Sequence, residues 1–278
     1  MLLFKLIKIE QRKNNMIDIR KAKKAFKEYV KNYDKKNEMI KLKIVHTYKV
    51  VKISEYIAKD IGLNKEDIEL AKLIALLHDI GRFEQIKRYN SFIDSQTVDH
   101  ADLGVQILFE ENLIRNFIEE NEYDQLIYKA IKNHNKYEIE EGLSQRELLH
   151  SKIIRDADKT DIYRVALTSK LEDFCEVKKE QIENDTITQN IFDEFMDKHL
   201  IPIKDAKTSL DMYLAYPAFI FDYNFISGLK YVKKKRYITR MLNQINYKRE
   251  DTKEKVKQIE KFSTKYIKEK CNAGLKVL

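Results

Sequence analysis

The sequence has few of the residues that build turns and disulfides: 6 Gly, 2 Pro and 2 Cys among 278 residues. Turns that depend on glycine or proline must therefore be few, and a composition dominated by Lys, Glu, Ile and Leu favours helices. Cys175 and Cys271 lie about a hundred residues apart and have no CxxC partner. We interpret them as buried thiols in a reducing cytosol and expect an all-α protein without a disulfide.

Long apolar runs are also missing. No stretch approaches the roughly 20 apolar residues that a transmembrane helix needs. The opening MLLFKLIKIEQRKNN is interrupted by Lys5 and Lys8 and has no small-residue cleavage site, which makes it a poor signal peptide. We therefore expect a cytoplasmic protein that does not interact with a membrane.

The net charge of +8 is unevenly distributed along the chain. Residues 1–40 hold 12 basic and 5 acidic groups, residues 41–170 hold 20 and 23, and residues 171–278 hold 21 and 17. The densest basic run, residues 230–240, has six positive charges and no acid. Such a run is typical of a solvated helix face, and a phosphate-attracting rim or a nucleic-acid contact are the alternatives.

The few histidines form a pattern. Four of the six histidines lie between residues 46 and 134. Helical register places three of them and one aspartate on separate apolar stripes: His46, His100, His134 and Asp158. A buried polar group without a partner costs roughly 1–3 kcal/mol, and an unpaired carboxylate costs more. Gly104, one turn after His100, predicts that a neighbouring backbone approaches closely.

The most apolar segment contains the fourth histidine and another aspartate. Asn64 is the predicted N-cap of a helix whose first turn is acidic. The helix continues through Leu70–Ile80, is apolar nearly all round and ends at Gly81 as a C′ residue. His78 and Asp79 fall in its last turn. One bound metal, or two, would satisfy all six side chains together, so the sequence predicts a metal centre.

The other polar candidates are weaker. Asp156 points about 160° away from Asp158 at 3.6 residues per turn. His150 lies on the same face as Asp158 but about 12 Å away at 1.5 Å per residue, too far to share a metal, and could be a rim or substrate-binding residue. His199 is interpreted as a helix-end histidine. An aromatic cluster is interpreted as core, with one or two members able to stack on a base: Tyr213, Tyr216, Phe219, Phe221, Tyr223 and Phe225.

The motifs LLHDIGRF at 76–83 and RDADKTDIYR at 155–164, together with His46, resemble the HD-domain superfamily of metal-dependent phosphohydrolases. His100 in VDHADLG and His134 in IKNHNK resemble the extended six-ligand form of that family, which holds two metals. The resemblance covers roughly residues 41–170. It implies an all-α helical bundle with a core of about five helices. We predict one domain over residues 1–278, with flanking helices in residues 17–40 and 171–278.

The resemblance also implies roles for individual residues. His46, His78, Asp79 and Asp158 would hold one metal, and Asp79, His100 and His134 would hold the second. The ligand set suits divalent Mn, Fe, Co, Ni or Zn. Further roles follow for residues beside the ligands: phosphate binding by Arg82 and Lys159, and water orientation or leaving-group protonation by Glu84 or Asp161. A helix C-terminal charge is the alternative interpretation of Arg82.

The function that the resemblance implies is hydrolysis of a phosphoester, with a nucleotide as the expected substrate. Two metals would lower the pKa of a water and supply hydroxide to attack phosphorus. A di-iron oxygenase acting on a phosphorylated or phosphonate substrate and a low-turnover nucleotide sensor are the alternatives. No GYP motif and no glycine-rich phosphate loop occur in the sequence, which argues against cyclic-di-GMP-specific and P-loop enzymes. A homo-oligomer is left open.

Overall fold

A computed structural model describes residues 17–175 and 177–273 of the chain. Within these ranges every regular element is a helix, mostly α with short 3₁₀ turns and one π-helical turn, which confirms the all-α prediction. The α-helices, in chain order, are α1 Ile19–Tyr29, α2 Glu38–Asp60, α3 Lys65–Leu77, α4 Ile80–Tyr89, α5 His100–Val105, α6 Asp124–Lys132, α7 Gln145–Thr168, α8 Leu171–Cys175, α9 Lys179–Asn184, α10 Gln189–Met196, α11 Ser209–Leu214, α12 Ile226–Lys235, α13 Tyr237–Asn243 and α14 Glu250–Asn272.

The chain forms two compact units, Met1–Ala157 and Asp158–Leu278, and the division falls inside α7. The expectation of one domain over residues 1–278 stays a prediction. The first unit holds α1 to α6 and the first part of α7. Residues 38–168 contain six α-helices, in line with the expected core of about five. No helix in the described part of the chain is both long and apolar enough to cross a membrane.

Two long helices build the centre of the first unit. The side chain of Asn37 caps α2 by accepting from the amide of Met39 at 2.8 Å. Asn64 caps α3 by accepting from the amide of Asp67 at 2.9 Å, as predicted. Residues 70–77 of α3 are all buried, because α2 and other helices pack around it. A helix that is apolar on every side must be central, and this one is.

The predicted end of the central helix was wrong. Helix α3 ends at Leu77, and a new helix, α4, begins at Ile80, so Gly81 lies inside α4 rather than after a helix. A Cβ on Gly81 would lie 2.3 Å from the carbonyl oxygen of His100 and 2.6 Å from the amide nitrogen of Gly104. Glycine is therefore needed there because α5 packs directly on the backbone of α4. The close approach that Gly104 predicted is confirmed.

The second unit has its own apolar core. Tyr213 and Tyr223 are buried in it, and Tyr216, Phe219 and Phe221 pack against it, which confirms the core interpretation for five of the six aromatic residues. The sixth, Phe225, is half-buried. Cys175 and Cys271 are free and half-buried, and burial raises the pKa of the Cys175 thiol to about 12.

The basic run at residues 230–240 is not one helix. Arg236 adopts a left-handed conformation with φ of 51° and separates α12 from α13. The lysines and arginines of the run are exposed, as a solvated face requires.

Candidate metal centre

Four histidines and one aspartate meet in the first unit. His46 lies in the middle of α2, and His78 and Asp79 form the junction between α3 and α4. His100 is the first residue of α5, and His134 follows α6. All five residues are at most 4 % exposed. The apolar neighbours of each histidine are buried, as their stripes predicted, but His134 lies two residues beyond the end of α6 rather than on the helix.

Asp79 lies at the centre of this group. Its Oδ2 is 3.4 Å from Nε2 of His46 and 3.3 Å from Nε2 of His78. Its Oδ1 is 3.6 Å from Nε2 of His100 and 3.9 Å from Nε2 of His134. The candidate ligand atoms of His46, His78 and Asp79 lie within 4.8 Å of one another. The same holds for those of Asp79, His100 and His134. The carboxylate therefore presents one oxygen to each pair of histidines.

Hydrogen bonds at the far side of the rings fix how the histidines present their nitrogens. Nδ1 of His78 donates to the carbonyl of Ala75 at 2.8 Å, and Nδ1 of His134 donates to the carbonyl of Ile131 at 2.6 Å. A carbonyl can only accept, so in each neutral ring the proton is on Nδ1 and Nε2 keeps its lone pair. Histidines that bind metals are held in this way.

His100 and His134 show most directly that the site suits a cation. Their Nε2 atoms are 3.0 Å apart. Nδ1 of His100 donates to Oδ2 of Asp94 at 2.6 Å, so its Nε2 also carries a lone pair when the ring is neutral. Burial lowers the pKa of His100 more than the Asp94 hydrogen bond raises it, which favours the neutral ring. Two lone pairs at this distance repel each other unless a cation accepts both. Nitrogen and carboxylate ligands without a thiolate fit Mn, Fe, Co, Ni or Zn.

Sequence reasoning missed Lys43, which contacts the central carboxylate. Its Nζ is 2.6 Å from Oδ2 of Asp79, and its side chain is 14 % exposed. Burial alone would raise the pKa of the Asp79 carboxyl, but the charge of Lys43 holds it well below its usual range. The sequence could have identified Lys43 by its spacing from His46, because it lies three residues earlier on the same face of α2.

Asp94 was missed as well. It lies in the loop between α4 and α5, and its Oδ1 accepts from Nη1 of Arg82 at 2.6 Å and from Nε2 of Gln85 at 2.9 Å. Burial would raise the pKa of Asp94, but the hydrogen bond from His100 and the charge of Arg82 hold it well below its usual range. No periodic pattern identifies a loop residue of this kind.

Arg82 lies beside the central carboxylate, and its phosphate-binding and catalytic roles stay predictions. Its Nε is 3.8 Å from Oδ1 of Asp79. It belongs to the first turn of α4, so the alternative interpretation of a helix C-terminal charge was wrong. Besides Asp94, its Nη1 contacts Oε1 of Gln85 and the carbonyl of Phe92, both at 2.7 Å.

Two further candidates in the first unit have partners of their own. Glu84 accepts from Nε of Arg88 at 2.9 Å and from the hydroxyl of Tyr33 at 3.3 Å. His150 is buried, and its Nε2 is 3.0 Å from Oδ1 of Asp67. Neither is in the groups of metal-ligand atoms around Asp79. The catalytic role of Glu84 and the substrate-binding role of His150 stay predictions.

The remaining candidates belong to the second unit. Asp158 lies on α7 and is half-buried. Lys159 forms an ion pair with Asp222. Both oxygens of Asp161 accept from Arg164, at 2.6 Å each. The metal-ligand role of Asp158, the phosphate-binding role of Lys159 and the catalytic role of Asp161 stay predictions.

Comparison with known families agrees with this geometry. Residues 44–163 match the family model described as HD domain. No curated protein and no solved structure matches the chain. The matched segment contains all six predicted metal ligands. Five of them meet in the first unit: His46, His78, Asp79, His100 and His134. The metal centre of the first unit therefore lies within the segment of the chain, residues 44–163, that matches an HD domain.

Proposed function

We propose that this protein is a metal-dependent phosphohydrolase that cleaves a phosphoester, with a nucleotide as the expected substrate. The observation that supports it most is the arrangement at Asp79, where each carboxylate oxygen faces two histidine Nε2 atoms. Such a site can hold one or two divalent metals. His46, His78 and Asp79 would hold one, and Asp79, His100 and His134 would hold the other.

The chain's own residues prepare the site for this chemistry. A bound divalent metal supplies a Lewis acid and lowers the pKa of a water towards neutrality. Asp79 is kept ionised by its cationic neighbours, so it is ready to act as a ligand at neutral pH. The hydrogen bonds at Nδ1 hold His78, His100 and His134 with Nε2 facing the carboxylate.

Two cationic side chains beside Asp79 favour a substrate with a negatively charged group. Lys43 and Arg82 contact opposite oxygens of Asp79. Arginine and lysine are the side chains that proteins use to bind phosphate. The surrounding charge thus supports a phosphoryl group as the part of the substrate that enters the site.

A turnover assay tests this proposal. The protein is stripped of metal, reloaded with Mn²⁺ or Fe²⁺, and supplied with nucleoside monophosphates, nucleoside triphosphates and p-nitrophenyl phosphate. We expect hydrolysis that depends on metal and falls by orders of magnitude in Asp79→Asn, because an amide is a weaker metal ligand than a carboxylate. Asp34→Asn, which changes an exposed aspartate of the same unit, should leave turnover unchanged. Oxygen uptake by the iron-loaded protein without any ester hydrolysis would contradict the proposal and favour the oxygenase.

A further inference from the structure

Lys43 and Arg82 differ in how firmly they are held. Arg82 is fixed, since its Nη1 contacts Gln85, Asp94 and the carbonyl of Phe92. Lys43 donates to Asp79, and its Nζ lies 5.3 Å from the centre of the Phe92 ring. Lysine is a point charge on a flexible stem, whereas the arginine fork is rigid. Of the two cations, Lys43 is therefore the one that can exchange partners.

The partner of Lys43 is the atom that a metal would need. Oδ2 of Asp79 faces His46 and His78, so it belongs to the donor set of one candidate metal. An ammonium group hydrogen-bonded to this oxygen and a divalent cation bound to it repel each other. When metal binds, Lys43 must give up this contact and needs another anion nearby.

We propose that Lys43 is a phosphate-binding residue of the metal-loaded site, exchanging the Asp79 carboxylate for a phosphoryl oxygen of the substrate. The inference rests on the proposed function and adds a residue to it. The Phe92 ring supports the same conclusion, because it lies under both cations, 5.3 Å from Lys43 Nζ and 5.7 Å from Arg82 Cζ. A cation that leaves Asp79 thus keeps a favourable aromatic neighbour within the same site.

The test measures the binding of inorganic phosphate, which does not depend on turnover. Wild-type protein loaded with Mn²⁺ is titrated with phosphate by calorimetry, and metal per chain is measured on the same samples. Lys43→Met removes the charge and keeps the length of the side chain. Lys52→Met is the matched control, since Lys52 is an exposed lysine of the same helix. Lys43→Arg keeps the charge.

We expect Lys43→Met to keep its metal and to bind phosphate about tenfold more weakly or worse, as for a lost hydrogen bond to a charged group. Lys52→Met should behave as the wild type, and Lys43→Arg should recover part of the affinity. Three results would overturn the inference: equal phosphate affinity in Lys43→Met and wild type, loss of metal from Lys43→Met, or no phosphate binding by the metal-loaded wild type. Phosphate binding without ester hydrolysis in the wild type would contradict the proposed function but uphold the role of Lys43.

Discussion

Asp94 connects two residues that act on different parts of the proposed reaction. Its Oδ2 accepts from His100, a candidate metal ligand, and its Oδ1 accepts from Arg82, a candidate phosphate-binding residue. A carboxylate behind a metal-binding histidine fixes the orientation of the ring and raises its basicity. The position of the second metal and that of the phosphate-binding guanidinium therefore depend on one side chain.

Replacing Asp94 by asparagine tests this dependence. The variant keeps the shape but removes the charged acceptor of His100, so the affinity for the second metal should fall about 10- to 100-fold. Stepwise metal titration measures it, and the first site should bind as before. Asp102→Asn, which changes an exposed acid of α5, is the control. Two metal affinities equal to those of the wild type would show that Asp94 does not position His100.

At the scale of helices, the contact between α4 and α5 brings His100 to Asp79. The two helices touch at Gly81 and Gly104, where backbone packs on backbone. A side chain at Gly81 would force the helices apart, since its Cβ would meet the carbonyl oxygen of His100 at 2.3 Å. The same movement would displace His100 itself.

Gly81→Ala should therefore destabilise the protein by about 1–3 kcal/mol, as overpacking does elsewhere. This is opposite to the usual effect of alanine within a helix, which gains up to about 1 kcal/mol over glycine. Gly104→Ala is the comparison, because the nearest atoms to its Cβ would be at 3.4 and 3.5 Å. Urea unfolding measures both changes. Equal stability of the two variants would mean that the contact at Gly81 relaxes freely.

A second contact between helices, that of α3 with α7, is made by hydrogen bonds to a carboxylate. Asp67, in the first turn of α3, accepts from His150 at 3.0 Å and from Nε of Arg146 at 2.7 Å. The hydrogen bond from His150 contributes most to holding the pKa of Asp67 well below its usual range, and Arg146 adds to it. A carboxyl whose pKa is lower in the folded state stabilises that state above its unfolded pKa and loses this effect as the pH falls.

The melting temperature of Asp67→Asn should accordingly lie below that of the wild type at pH 7, and the gap should narrow below about pH 4, where an unfolded aspartate is protonated. Thermal unfolding from pH 7 to pH 3 measures the gap. The exposed Asp34→Asn variant should melt with the wild type at each pH. A gap that stays constant down to pH 3 would contradict the ionised contact.

The helices that carry the candidate ligands could be predicted because their stripes repeat with helical period. His46 and His134 end up buried with their aliphatic neighbours, and the Asn64 cap starts α3 as expected. The break between α3 and α4 could not be predicted, since its cause is the packing of α5 on Gly81. Lys43 and Asp94 were missed for a similar reason. Their roles depend on contacts between different elements, which leave no periodic signal in the sequence.

Over the whole molecule, the acidic part of the sequence, residues 41–170, contains the metal centre, and more basic segments flank it. An excess of carboxylates around a cation site is favourable, because it lowers the cost of bringing divalent ions there. The basic side chains of residues 230–240 are exposed. Their alternative roles in attracting phosphate or nucleic acid stay predictions, as does a homo-oligomer.

The most specific part of the proposal is that the site would take two metals, one at each pair of histidines around Asp79. Elemental analysis of the wild type and of the double variant His100→Ala/His134→Ala tests it most directly. We predict about two metals per chain for the wild type and about one for the double variant, because His46, His78 and Asp79 remain. His199→Ala, which changes an exposed histidine paired with Glu194, should keep both metals. The same metal count in the double variant as in the wild type would rule out a second metal at His100 and His134.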